Sequence, residues 1–119
     1  MTSEDRPTLR REERPNGIVV VSISGELDTA STRTIEGDFS RAVGENRSAS
    51  LVLDLSGVRF MTSAALAMVI VYAQSIHRAG GKMALACLQP LVEEVFERAG
   101  FLSLFSTYPT LEDALLALE

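Results

Sequence analysis

Short apolar runs alternate along this chain with segments whose apolar residues recur at helical spacing, and this alternation constrains the fold more than any other feature. Residues 18–23, 49–55 and 83–88 are rich in Val, Ile, Leu and Ala without strict alternation, as strands covered on both faces would be. Each is followed by a helical pattern. The first begins at Thr29 and puts Ile35, Phe39, Ala42 and Val43 on one stripe, with Thr29 or Ser31 as N-cap and Gly44 as its stop. The second, residues 63–78, has Thr62 or Ser63 as cap and Gly80-Gly81 as terminator. The third opens on Pro90 and sets Leu91, Val92, Val95 and Phe96 opposite Glu93, Glu94, Glu97 and Arg98. A last strand at 104–108 and a last helix at 111–118, capped by Thr110, complete the series.

Strands separated by helix-length connections pair in parallel through crossovers, so the pattern predicts an α/β sheet. Ahead of the first apolar run, Asn16-Gly17 predicts a type I′ hairpin turn, and the charged residues 8–14 between Pro7 and Pro15 suit an exposed edge strand. That hairpin makes the sheet mixed. A length of 119 residues accommodates one domain, spanning 8–119, behind a flexible segment at 1–7.

Charge and rare residues narrow the function classes. Eleven Lys and Arg against sixteen Asp and Glu leave a net charge of −5, which argues against nucleic acid or an anionic membrane surface as partner. The longest apolar run, residues 64–73, falls short of the about 20 residues a bilayer span needs, and the N-terminal stretch has no apolar signal core. No membrane insertion and a cytoplasmic location are expected. The single cysteine, Cys87, rules out an internal disulfide and any zinc site built on several thiolates; within an apolar strand it reads as a small hydrophobe. His77 near the end of the second helix suits the helix dipole, and Gly80-Gly81 follows a helix without a Lys-Ser or Lys-Thr, so it is no phosphate loop. No catalytic set assembles from these residues. The chain is expected to be no enzyme and to hold neither cofactor nor metal.

The turn between the second apolar strand and the second helix is the informative place. Thr62-Ser63 bring two hydroxyls to a helix N-terminus, where free N–H groups and the dipole favour negative charge, as on a phosphate. Simple N-capping is the alternative use of the same hydroxyls. Behind them the helix is apolar around most of its circumference. Leu66, Val69, Ile70, Ala73 and Ile76 form the stripe for the sheet, which leaves Met68, Val71 and Tyr72 to be covered by a neighbouring helix or offered to a partner. If that side is exposed, truncating Tyr72 should cost the fold little.

The spaced motifs Gly25-Glu26-Leu27-Asp28, Leu53-Asp54-Leu55-Ser56-Gly57-Val58-Arg59-Phe60-Met61, Gly80-Gly81-Lys82-Met83, Gly100-Phe101 with Leu104-Phe105, and Thr110-Leu111-Glu112-Asp113-Ala114 resemble the STAS family of anti-sigma factor antagonists. The resemblance covers residues 9–118. It implies a sheet with helices mainly on one side, and a protein that binds an anti-sigma factor serine kinase when unphosphorylated, is released on phosphorylation and is reset by a cognate phosphatase. The family's acceptor loop typically reads Asp-Ser-Ser-Gly-Leu, where this chain has Thr62-Ser63-Ala64-Ala65-Leu66, so the usual acceptor falls on Ala64, which has no hydroxyl. Other branches read Ser-Ser-Ala-Gly-Leu, and that pattern makes Ser63 the first candidate for phosphorylation and Thr62 the second. The expected partner surface comprises Asp28, Thr62, Ser63, Ala64, Met68, Val71 and Tyr72. A second reading within the same fold is a STAS subunit of a membrane lipid-transport system that docks on an ATPase without a phosphoswitch. A small enzyme or nucleotide hydrolase is the reading from another class, disfavoured by the missing catalytic residues. The sequence leaves a homodimer open.

Overall fold

In the computed structural model, which describes residues 7–44, 50–102 and 105–119, five strands and four helices alternate as the periodicity requires. They are β1 (Thr8–Glu13), β2 (Val19–Ser24), α1 (Thr29–Val43), β3 (Leu51–Gly57), α2 (Ser63–Arg78), β4 (Met83–Ala86), α3 (Pro90–Arg98), β5 (Ser106–Tyr108) and α4 (Leu111–Leu118). The strands lie in sequence order, β1-β2-β3-β4-β5, with β1 antiparallel to β2 and every other neighbour parallel. The mixed sheet expected from the hairpin is therefore present.

Alternate residues of each strand divide the core in two. Val19, Val21 and Ile23 of β2 and Leu51, Leu53 and Leu55 of β3 join Leu85 on the face covered by α1, α2 and α3. Phe39 of α1 and Phe96 of α3 are fully buried in this larger core, each removal from water stabilising the fold by about 1.5–3 kcal/mol. Ile18, Val20, Val52, Ala84 and Ala86 face the other way, where α4 meets them with the buried Ala114 and the half-buried Leu111, Leu115 and Leu118. Small side chains suffice there because one eight-residue helix covers them. Helices thus lie mainly on one side. On the uncovered part of the second face the strands turn polar, with Arg10 opposite Ser22 and Ser22 opposite Asp54.

Several local expectations are corrected. The hairpin is not a two-residue type I′ turn: Arg14 and Ile18 close a three-residue loop, with the Gly17 N–H donating to Arg14 O at 2.9 Å and the Arg14 N–H to Ile18 O at 2.9 Å. Pro15 presets the first central position of the turn and only Gly17 takes a positive φ, +85°, which is the G1-bulge solution for right-twisted strands. Ser56 and Gly57 belong to β3 instead of ending it. Gly57 sits where the β2 register shifts, and a Cβ there would fall 2.7 Å from Ser24 Oγ, so this close approach of strands excludes a side chain. Asp28 caps α1, ahead of the expected Thr29 or Ser31. β4 stops at Ala86, and Cys87 turns the chain with φ 61°, the one positive φ among described residues other than glycine. Leu91 is 56% exposed and leaves the α3 stripe to Val92, Val95 and Phe96, because α3 meets the core one residue further round.

Arg11 explains how a charged edge strand attaches to an apolar sheet. It points to the helix-rich face and its Nε donates to Ala42 O at 3.1 Å, satisfying a carbonyl in the last turn of α1, where a cation also suits the dipole. The expectations for residues 1–6, Ala49 and Leu104 lie outside the described residues.

Candidate functional site

Two parallel neighbours, β2 and β3, end side by side, and the chain after each leads into a helix. These two exits are tied together. Leu27 and Met61 form an isolated parallel bridge, in which the Leu27 N–H donates to Phe60 O at 3.0 Å and the Thr62 N–H to Leu27 O at 2.9 Å. Leu27 and Met61 are buried, so the bridge is a fixed part of the core. The residues that follow, Asp28 and Thr62, are the N-caps of α1 and α2, and Ser63 is the first residue of α2. One short ladder thus sets two helix N-termini next to each other.

The two termini are treated differently. At α1 the Asp28 carboxylate accepts from the Ser31 N–H at 2.8 Å, and Asp28 O accepts from both the Thr32 N–H and the Thr32 hydroxyl, at 2.9 and 2.7 Å. These hydrogen bonds to Ser31 stabilise the charged form and hold the Asp28 carboxyl below its ordinary value. At α2 the N-cap is Thr62, which makes no side-chain cap hydrogen bond. Its hydroxyl turns inward to donate to Leu27 O at 3.3 Å. No acidic residue occupies the first turn of α2, so its free N–H groups and positive dipole end have no side-chain anion from the helix itself. Simple N-capping by Thr62 is thereby ruled out as the use of that hydroxyl.

Ser63 is exposed at this uncapped end, while Thr62 and Ala64 are half-buried. A groove of about 400 Å³ runs on between α1 and α2, with Ala64, Ala67, Met68, Val71 and Tyr72 on one wall and Thr29, Thr32, Arg33 and Glu36 on the other. The structure therefore brings Ala64, Met68, Val71 and Tyr72 to a single groove that starts beside Asp28 and Ser63. Their shares of it are unequal. Met68 is only 6% exposed and belongs to the core under α1; Val71 is 58% exposed; Tyr72 is half-buried with its ring 5.0 Å from that of Phe39, at 59°. The choice left open between a covered and an offered face resolves residue by residue, because α1 covers one edge of α2 and leaves the next.

Sequence reasoning missed Arg33 and Glu36, which read as ordinary polar positions of α1 until α2 is placed against them. It also missed two exposed apolar residues: Phe60, 42% exposed in the connection from β3 to α2, and Leu91, 56% exposed in the first turn of α3. Phe60 had a signal, a large apolar residue in a turn; Leu91 had none, since it continued the stripe.

The remaining reactive groups are elsewhere. Cys87 is half-buried between the sheet and α4; burial and the neighbouring Asp54 carboxylate push its thiol up, the opposite of what a nucleophile needs. His77 is exposed in the last turn of α2. Among the described residues no group of three or more His, Cys, Asp or Glu could hold a metal ion, and no helix is long and apolar enough to cross a membrane.

Comparison with known proteins adds four relationships. The STAS domain family model matches residues 11–114. BtrV of Bordetella bronchiseptica is 31% identical over 109 residues, covering 90% of this chain and 91% of its own, and the anti-sigma F factor antagonist of Paenibacillus polymyxa is 27% identical over 107 residues, covering 90% and 92%. A crystal structure of an anti-sigma factor antagonist from Mycobacterium paratuberculosis superposes with a TM-score of 0.84 at 29% identity, over 99% of this chain and 98% of that one.

Proposed function

The chain belongs to the STAS domain family, and from that membership we propose that it is a cytoplasmic anti-sigma factor antagonist, a non-enzymatic switch whose phosphorylation site is Ser63. The observation that carries the site is the uncapped start of α2: Ser63 is exposed there, and the neighbouring Thr62 hydroxyl is turned away to Leu27 O. A kinase can reach Ser63 Oγ without displacing a cap, whereas Thr62 is half-buried and its hydroxyl engaged.

Unphosphorylated, the α2 wall of the groove that begins near Ser63 is uncharged, with Val71 and the accessible parts of Ala64 and Tyr72 along it, facing Arg33 and Glu36 of α1. An anti-sigma factor with serine kinase activity docks on this surface. A phosphate on Ser63 brings about −1.5 to −2 charge. The free N–H groups of α2 donate to the phosphate oxygens without unfolding the helix, but a docked partner would have to bury the charge against apolar atoms, which is costly unless a cation is supplied. Phosphorylation therefore releases the partner, and a cognate phosphatase restores binding.

Affinity capture with Ser63→Ala and Ser63→Asp forms of the full chain, followed by phosphopeptide mass spectrometry with the captured kinase, tests this reading. A serine kinase retained by Ser63→Ala and lost by Ser63→Asp, with phosphate on Ser63 of the unsubstituted chain, is the expected result. Phosphate on another residue moves the site. An ATPase component retained equally by both forms, with no phosphate anywhere, replaces the switch with a docking subunit of a transport system.

A further inference from the structure

The opposite end of α2 carries a second groove, of about 700 Å³, between the last turns of α2, the starts of β4 and β5 and the end of α4. This is within the range of small-molecule sites. Its α2 lining runs from Ile70 to Arg78, about 10–22 Å along the helix from Ser63, toward the strand ends remote from the proposed switch. Ile70, Ala73, Met83, Phe105 and Leu118 line it, all half-buried, so that part of each apolar side chain remains accessible.

Three basic side chains stand on its rim: His77, Arg78 and Lys82. All are exposed, and among the described residues none forms an ion pair and no carboxylate lines the groove. His77 and Arg78 alone would be explained by the negative end of the α2 dipole. Lys82 is not, because it lies beyond the helix, past Gly80 and Gly81, and reaches the same groove from the start of β4. In a chain of net charge −5, this unpaired positive cluster beside an apolar trough fits only one ligand polarity. We infer that the groove binds an amphiphilic anion, a carboxylate head at Arg78 and Lys82 with a short apolar tail along Ile70, Ala73 and Met83.

The site is independent of the phosphorylation reading, and its test uses the full chain with octanoate as probe, octanol as the neutral analogue and inorganic phosphate as the tailless anion. Titration followed by amide NMR should show saturable one-to-one binding of octanoate with shifts at residues 70–83 and 105–118. The doubly charge-reversed Arg78→Glu, Lys82→Glu variant, altered only at exposed positions, should bind octanoate about tenfold more weakly or worse, as loss of charge-assisted hydrogen bonds requires. Ala73→Phe, which fills the trough, should weaken it while leaving phosphate unaffected. Octanol binding as tightly as octanoate, phosphate displacing octanoate at equal concentration, undiminished binding by the charge-reversed variant, or shifts confined to other residues would each overturn the inference.

Discussion

The Thr62 hydroxyl and the Leu27 carbonyl oxygen, 35 positions apart in sequence, meet at 3.3 Å, and that contact leaves the first turn of α2 without a side-chain cap. It joins the exits of two adjacent strands and at the same time frees Ser63. Thr62→Val removes this hydrogen bond but keeps the 2.9 Å backbone bond from the Thr62 N–H. A loss of about 0.5–1 kcal/mol is expected, read as a drop of roughly 2–5 °C in Tm, with partner binding changed less than by substitution of Ser63.

Ser63→Asp should move stability and binding in opposite directions. A carboxylate at the start of an uncapped helix stabilises it by about 0.3–1 kcal/mol, so thermal unfolding should shift slightly upward while affinity for the captured kinase collapses. Tm by circular dichroism and binding by calorimetry separate this from a variant that simply misfolds, in which both would fall.

Tyr72 and Val71 are neighbours with different roles. Tyr72 stacks obliquely on Phe39 within the larger core, so Tyr72→Ala should destabilise the fold by about 1.5–3 kcal/mol, against the small cost expected were it exposed. Val71→Ala should leave Tm within about 1 °C and weaken partner docking, because Val71 is 58% exposed on the groove wall. Chemical denaturation of both variants checks the contrast.

Gly57→Ala should cost about 1–3 kcal/mol, since the new methyl would sit 2.7 Å from Ser24 Oγ and 3.0 Å from Ser24 Cβ. Ser24→Gly removes both opposing atoms, so the double variant should recover part of the loss. A double-mutant cycle by urea unfolding reads the coupling directly.

Asp28 gives a pH dependence of defined sign. Its folded-state pKa is lowered below the ordinary 3.8 by hydrogen bonds to Ser31, so the unfolded chain binds the proton more readily. The stabilisation is fully present above the ordinary carboxylate range and is lost as pH falls past 3.8 toward the lowered value. Asp28→Asn keeps an N-cap without the titration. Its Tm should therefore fall less steeply than that of the unsubstituted chain between pH 5 and pH 3, a window set by the ordinary value.

Element order, sheet class and the turn that carries the proposed switch were written in local pattern. Val19, Val21 and Ile23 or Ile35 and Phe39 announce strand and helix by their spacing, because the backbone period fixes which side chains share a face regardless of what lies opposite. Family motifs then singled out Ser63. Which faces are covered was decided only by tertiary contacts: Met68 is core and Val71 is not because α1 happens to reach one and stop before the other, and Leu91 and Val92 part company for the same reason in α3. The use of Thr62 was equally hidden, since a hydroxyl at a helix start caps by default and turns away only when a carbonyl such as Leu27 O arrives from a distant strand end. The cationic groove likewise needs the starts of β4 and β5 beside the end of α2, a juxtaposition set by sheet order instead of by any local period.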